Sequence, residues 1–412
     1  MVDQSHHRIL VLGYREANIT FLNRLLRGLT QNGCEILIAS SWCERGKSSS
    51  KNFQFFLWTP SIKGWCFGKW VCLIFSYLSS IATKRSGWLK TQINQGRRLK
   101  DKLGIFIRYA PFCRDAFDVI YFPWNSTAIA YRGLFELDIP TVVSCRGTQI
   151  NISPHLPGQC AYVSALRDTL QKASAVHCVS ENILHSVVDL GVKQENYVII
   201  RPAVDPEFFT PPSQLPKNRR FTIVTTGSLI WRKSIETLLV ALKQLLELGV
   251  DAELHIIGDG PERQHILFTI NDLGIENRVF LHGRLKPYQV RDQLQKSDSF
   301  VLSSVSEGIA NAVLEAMSCG LPVITTNCGG MREVVNDSLQ GFIVPLRDPQ
   351  SLAQALNKLA SNPDLRQQMG TAGRRRILQD FVLDDQITAF INLFEDALNP
   401  ETKTKINNAN GS

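Results

Sequence analysis

Residues 303–326 read Ser-Ser-Val-Ser-Glu-Gly-Ile-Ala-Asn-Ala-Val-Leu-Glu-Ala-Met-Ser-Cys-Gly-Leu-Pro-Val-Ile-Thr-Thr. The apolar run 300–302 passes into small polar residues, and Gly308 permits a sharp turn before a helix that the spacing starts near Ile309. Ile309, Val313 and Met317 recur at helical spacing and form a stripe to bury against a sheet, while Asn311 and Glu315, four apart, share the opposite face. Cys319 and Gly320 stop the helix, Pro322 prevents its continuation, and 323–326 reads as the next buried strand. The stretch is one strand-helix-strand unit.

Such a unit places the backbone N–H groups of the first helical turn, here Gly308, Ile309, Ala310 and Asn311, at the carboxyl end of a parallel sheet, which makes an anion site. Glu307 stands at its mouth, able to accept from hydroxyls, and Glu315 stands two turns further in, within reach of a diol such as a ribose. Donors for a phosphate beside carboxylates for hydroxyls suit a sugar nucleotide. Taken alone, Glu307 reads equally as a partner for the helix dipole and Glu315 as a solvated surface residue. The surrounding residues, Glu-Gly-x-x-Asn-x-x-x-Glu-Ala-Met-x-x-Gly-x-Pro-Val from Glu307 to Val323, resemble the Glu-x7-Glu signature of family 4 glycosyltransferases. That resemblance implies an α/β chain of GT-B fold: two Rossmann-like, doubly wound parallel-sheet domains facing a cleft. Acceptor binds mainly to the first domain and nucleotide sugar mainly to the second, and a carboxy-terminal helix crosses back.

A chain of 412 residues is too long for one ordinary core, which gives a prior of two domains. The net charge of +8 is uneven, because residues 1–200 hold 23 Lys and Arg against 13 Asp and Glu. Lys47, Lys51, Lys63, Lys69, Lys84, Arg85, Lys90, Arg97, Arg98 and Lys100 lie within 45–102 beside a single acid, Asp101, interleaved with Trp58, Trp65, Phe67, Trp70, Phe75, Tyr77 and Trp88. Basic plus aromatic residues without a nucleic-acid motif favour peripheral contact with an anionic membrane over a nucleic-acid groove, with a solvated basic face as the other reading. The apolar run 70–82 is too short to span a bilayer core, which takes roughly 20 residues. Nothing at the amino terminus reads as a signal peptide, and ten cysteines without a Cys-x-x-Cys pair fit a reducing compartment, so a cytoplasmic protein is expected, at most peripheral at the inner face of a membrane. Cys34, Cys145, Cys178 and Cys319 fall beside apolar runs and read as core residues.

Apolar strands at 9–12, 35–39, 119–122, 141–145, 176–179 and 198–200 alternate with helical stretches, the pattern of a doubly wound sheet. Residues 57–114 interrupt it and yield no secure assignment. The reading divides the chain into a first domain at 1–200, a proline-rich linker at 201–219, a second domain at 220–380, a helix at 381–398 that crosses back, and a disordered tail at 399–412. The second series runs through 221–226, a helix over 235–248, then 254–258, 279–282, 299–302, 323–326 and 341–344. A helical pattern follows from about 372.

Thr226-Gly-Ser-Leu-Ile-Trp-Arg-Lys-Ser ends the first strand of that series with a glycine turn and then offers Arg232 and Lys233. A cation here stabilises the charge that gathers on a departing diphosphate more than it stabilises the ground state. The stretch resembles the family's Gly-Arg-Leu-x-x-x-Lys-Gly, with Lys233 at the family spacing from Gly227, Ser228 in place of arginine, and Arg232 as the substitute cation. Gly258 and Gly260 in Ile-Ile-Gly-Asp-Gly-Pro-Glu read as a tight strand-to-helix turn with Pro261 as first helical residue, and by resemblance as a loop beside the nucleotide. His282, before Gly283 and Arg284, ends the next strand, where similar enzymes hold the base with backbone groups. In the first domain only Gly13 remains of the family's glycine-rich loop, and Arg146 with Gly147 stands where the family often has histidine, facing the donor or an anionic acceptor. With no Asp-x-Asp and no metal-ligand cluster, neither a metal nor a cofactor beyond the nucleotide-diphosphate sugar is expected.

The resemblance implies retention of configuration, and the reading is a retaining, metal-independent hexosyltransferase that uses a lipid-linked or polysaccharide acceptor, with Glu307, Lys233 and Arg232 in catalysis. A sugar synthase or phosphorylase acting on a soluble sugar is the neighbouring alternative. A catalytically silent scaffold is the alternative from another class, and Ser228 and the missing glycine loop speak for it.

Overall fold

The computed structural model describes residues 7–14, 20–40, 54–57, 85–113, 116–193, 196–213 and 220–399. The apolar run 70–82 and most of the basic stretch from 45 onwards lie outside them, as do 214–219 of the proline-rich segment and the tail from 400.

Two parallel sheets organise the chain. The first has seven strands: β1 (Arg8–Leu12), β2 (Glu35–Ser40), β3 (Gln54–Leu57), β4 (Val119–Phe122), β5 (Thr141–Cys145), β6 (Ala175–Cys178) and β7 (Tyr197–Ile199). Their order across the sheet is β3-β2-β1-β4-β5-β6-β7, all parallel. The second has six: β8 (Phe221–Thr226), β9 (Ala252–Ile257), β10 (Val279–Gly283), β11 (Ser299–Leu302), β12 (Val323–Thr326) and β13 (Gly341–Val344), in the order β10-β9-β8-β11-β12-β13. Near-continuous apolar runs such as Val119–Phe122 and Ser299–Leu302 are buried on both faces, as strands covered by helices on each side must be. The strand order switches direction across the sheet between β1 and β4 in one sheet and between β8 and β11 in the other, and each switch opens a crevice at the carboxyl ends of the strands.

Within residues 57–114 the described part holds helices Ser86–Asn94 and Leu99–Tyr109. The carboxy-terminal pattern is two helices, Pro363–Asp380 and Leu383–Leu398, and the first begins well before residue 372. They part at Phe381 and Val382 because Val204 inserts there: its N–H donates to the Phe381 carbonyl at 3.0 Å, and Leu383 donates back to the Val204 carbonyl at 3.0 Å. Helix Leu383–Leu398 packs on the first sheet rather than the second. Phe390 and Phe394 meet the Tyr121 ring at 5.8 and 5.5 Å, and Ile387 lies where a side chain on Gly28 would have to be. Burying each of these large apolar side chains contributes roughly 1.5 to 3 kcal/mol, which holds the two halves together through their last element.

Cys34, Cys145, Cys178 and Cys319 are buried. Among the described residues no helix is long and apolar enough to cross a membrane, and no group of three or more His, Cys, Asp or Glu side chains is arranged to hold a metal ion.

Candidate active site

The β8/β11 crevice is assembled by backbone before any side chain enters it. Gly227 N–H donates to the Ile257 carbonyl at 2.9 Å and Gly258 N–H to the Gly283 carbonyl at 2.8 Å, which stitches together the loops after β8, β9 and β10. Gly258 has φ +146° and leaves only 1.8 Å between an added Cβ and the Gly227 carbonyl oxygen, so no other residue fits. Gly260 meets the Leu229 carbonyl in the same way. Pro261 sits in the turn, and the helix it precedes starts at Arg263.

Lys233 and Glu307 meet at this crevice. The Lys233 ammonium lies 2.6 Å from Glu307 Oε1, with both side chains less than a fifth exposed, and the Ser304 hydroxyl donates to the same oxygen at 3.1 Å. Lys233 is held from behind, since its carbonyl accepts from the Ser303 hydroxyl at 2.8 Å. Ser234, at φ +46°, makes the tight link from the Trp231–Lys233 turn into helix Ile235–Glu247.

The helix after Glu307 starts at Asn311, two residues later than the spacing suggests. Gly308 spends its carbonyl on the Gly330 N–H at 2.7 Å, and the Gly329 turn presses against the Glu307 carbonyl, so the chain bends at Gly308 and Ile309, is extended at Ala310 and only then coils. The N–H groups free at the helix start therefore begin at Asn311, with Gly308, Ile309 and Ala310 forming the loop that leads to it. The amide oxygen of Asn311 is buried without a partner.

Glu315 does not face the crevice alone. Its carboxylate pairs with Arg24 of helix Thr20–Gln31 in the first domain at 2.9 Å, and the Arg24 guanidinium lies 5.2 Å over Phe209. Burial pushes the Glu315 carboxyl above its ordinary range, and Arg24 opposes that rise. Arg232 likewise reaches across, donating to the Thr148 hydroxyl. Asn151 donates to the Glu307 carbonyl at 3.4 Å. Glycines line the seam: a Cβ added to Gly308 would lie 3.0 Å from Val179 Cγ2, one on Gly330 2.9 Å from Ser180 Cβ, and one on Gly147 3.7 Å from the Gly308 nitrogen. His282 stacks on His255, and its pKa is lowered by burial and by that neighbour.

Sequence reading missed Arg24, Thr148, Asn151 and Ser304. Only Gly329-Gly330 left a local signal, a double glycine six residues past the end of the strand-helix-strand motif's proline-valine pair. The others reach their partners from 84 to 291 residues away or through a serine with no distinguishing context.

In the first domain, Gly13 has φ +87° and packs on Thr127 at the β1/β4 crevice. Arg146 follows β5, and its guanidinium lies 4.5 Å over Phe21 and 5.8 Å over Trp124.

Two crevices facing one another at the carboxyl ends of parallel sheets, one of them carrying a lysine, a glutamate and an open helix start, define the class of two-domain enzymes that act on nucleotide-activated groups. The description "Glycosyl transferases group 1" matches residues 208–376 and "Glycosyltransferase Family 4" matches residues 20–208. The chain belongs to the family 4 glycosyltransferases. It is 24% identical over 275 residues to the N-acetyl-alpha-D-glucosaminyl L-malate synthase of Bacillus anthracis, covering 65% of this chain and 71% of that one. It is 28% identical over 230 residues to the lipopolysaccharide core biosynthesis glycosyltransferase LpsE of Rhizobium meliloti, covering 54% and 64%. Its fold is that of HepE from Anabaena, solved in complex with UDP, at TM-score 0.71 and 14% identity over 95% of this chain and 100% of that one. It is also that of the sucrose-phosphate synthase of Thermosynechococcus elongatus, at TM-score 0.76 and 16% identity over 95% and 98%.

Proposed function

We propose that the protein moves a hexose from a nucleotide-diphosphate sugar to a lipid-linked or polysaccharide acceptor, with retention of configuration and without a metal ion. The observation that carries this reading is the Lys233–Glu307 pair at the β8/β11 crevice, in front of the helix start at Asn311. As the glycosidic bond breaks, charge gathers on the leaving diphosphate; Lys233 and the free N–H groups at the helix start are donors already in place for it. Glu307 holds the lysine and, with its second oxygen, a sugar hydroxyl. A carboxylate so engaged orients groups rather than removing a proton, which suits a front-face transfer in which the departing phosphate takes the acceptor's proton. Glu315 receives the ribose diol once Arg24 gives way.

A lipid-linked acceptor and peripheral contact with an anionic membrane are supported by the described end of the basic region. Leu99 is 84% exposed on a helix edge that it shares with exposed Arg97, Arg98 and Lys100.

The test is a thermal-shift panel with UDP, GDP and ADP sugars without metal, followed by turnover. A donor at a hundred times its dissociation constant stabilises by roughly 2.7 kcal/mol, visible as a raised midpoint. Lys233→Ala is expected to lower turnover on the order of 100- to 1,000-fold, and Glu315→Ala to abolish the donor's effect on the midpoint. If both variants turn over donor like the parent, the site is elsewhere.

A further inference from the structure

We propose that the first-domain crevice is an oxyanion site for the acceptor, with Arg146 as the residue that grips a phosphate or carboxylate on it. This rests on the glycosyltransfer reading only for the word acceptor; the site itself rests on the geometry below.

Arg146 is partly buried at the end of β5 and built in from three sides. Phe21 and Trp124 stand edge to face at 5.9 Å, and the guanidinium lies over both rings. Its Nε donates to the Pro123 carbonyl at 3.3 Å. Among the described residues no carboxylate lies within ion-pair distance of it, and neither Nη1 nor Nη2 has a hydrogen-bond partner. A flexible surface arginine would stay solvated, but this one is held against two rings and a backbone carbonyl, so its planar fork is held ready at little further entropic cost. Two free nitrogens side by side match the two oxygens of a phosphate or carboxylate.

A second observation falls on the residue that follows Trp124. Asn125, next to Trp124, is completely buried, and neither its Nδ2 nor its Oδ1 has a partner. Buried polar groups are nearly always paired, so one donor and one acceptor here await a water or a ligand group. Rings for the apolar face of a sugar and a fork for its anion are the parts of a site for an anionic saccharide or a phosphate-linked one.

The cage around this cation belongs to the first domain, although the neighbouring Gly147 packs on the donor loop at Gly308. Phe21 and Trp124 follow β1 and β4, so the guanidinium lies over the first sheet's own crevice, whereas the diphosphate's donors, Lys233 and the Asn311 helix start, belong to the second. Arg232, which the sequence offered as the extra phosphate cation, is occupied by Thr148.

The experiment titrates the full chain with dodecyl phosphate, glucose 1-phosphate, neutral dodecyl maltoside and UDP, for the parent, Arg146→Gln and Arg146→Lys, with circular dichroism to establish that each is folded. The expected result is that Arg146→Gln weakens dodecyl phosphate or glucose 1-phosphate at least tenfold, that Arg146→Lys weakens it less, and that the maltoside and UDP are unaffected. Tighter binding of dodecyl phosphate than of glucose 1-phosphate assigns the anion to a lipid headgroup, and the reverse to a soluble phosphosugar. The proposal is overturned if the parent binds the anions no better than the maltoside, or if Arg146→Gln weakens UDP as much as the anions, which gives the cation to the donor. A parent that binds the anions but no nucleotide or nucleotide sugar refutes glycosyltransfer and leaves the oxyanion site standing.

Discussion

The two crevices occupy the same topological position in their sheets and are filled in opposite ways. At β8/β11 the cation is neutralised in place, Lys233 against Glu307, and the walls are backbone pressed on backbone at Gly227, Gly258 and Gly260. At β1/β4 the cation is unpaired, and the walls are side chains: Phe21, Trp124 and Thr127. The first arrangement is rigid and nearly independent of what side chains surround it, as suits a common diphosphate. The second can be re-shaped by single substitutions, as suits a partner that differs from one family member to the next.

Rigidity gives the largest expected effect. Gly258→Ala drives a Cβ into the Gly227 carbonyl oxygen at 1.8 Å and forces a left-side φ on alanine, so the loss is on the order of 4 kcal/mol or more. Gly13→Ala meets only the Thr127 hydroxyl at 2.6 Å, and roughly 2 kcal/mol is expected. Denaturant melts of both variants, with Thr127→Ala added to each, sharpen the contrast: Thr127→Ala recovers part of the Gly13→Ala loss and none of the Gly258→Ala loss. Equal losses for the two glycines would remove the distinction between backbone and side-chain walls.

The ion pair that joins the halves comes next. Arg24→Met leaves Glu315 buried without its cation, a cost of roughly 1 to 3 kcal/mol. Burial already raises the Glu315 carboxyl and Arg24 opposes it, so the substitution raises the carboxyl further. Donor binding that needs ionised Glu315 is then lost at a higher pH than in the parent as the solution is acidified. Where the solution is basic enough to ionise the carboxylate in both, the variant binds donor more tightly, because the diol no longer competes with an arginine. Nucleotide-sugar titrations at pH 8 and pH 5.5 check both statements, and weaker binding at pH 8 would make Arg24 a donor ligand instead.

How much of this was legible follows from distance along the chain. Glu307 to Val323 announces its loop, helix and strand because each depends on neighbours a few residues away, and Lys233 stands out by its spacing from Gly227. The helix began late because Gly329 and Gly330, beyond the motif, pin Gly308. Arg24 lies 291 residues from Glu315, and no local pattern marks an arginine on an amphipathic helix as the one that will cross a cleft. The cage of Arg146 draws on residues 21, 124 and 146, each unremarkable in its own segment. The edge strand β3 was hidden in the basic stretch, and the break at Phe381 came from Val204, a residue of the linker.

Histidines extend the comparison at the smallest scale. His177, on β6, is fully enclosed: Nδ1 meets the Ser144 hydroxyl at 2.7 Å, Nε2 the Ile200 carbonyl at 2.9 Å, and the Tyr121 hydroxyl completes the chain through Ser144 at 2.9 Å. Burial, with Arg146 nearby, lowers its pKa from 6.5 to about 3. Between those values the unfolded chain carries a proton that the folded one refuses. The stability from neutral His177 is therefore whole above pH 6.5 and drains as pH falls toward 3, at roughly 1 kcal/mol or slightly more per unit. Denaturant melts at pH 7 and pH 5 should show the parent losing roughly 2 kcal/mol more than His177→Gln, which keeps a polar group between Ser144 and Ile200. His282 in the second domain is lowered too, but it is only partly buried. His282→Gln should therefore change the pH slope less than His177→Gln; the opposite ranking would mean that the enclosed pair of the first domain is open to water.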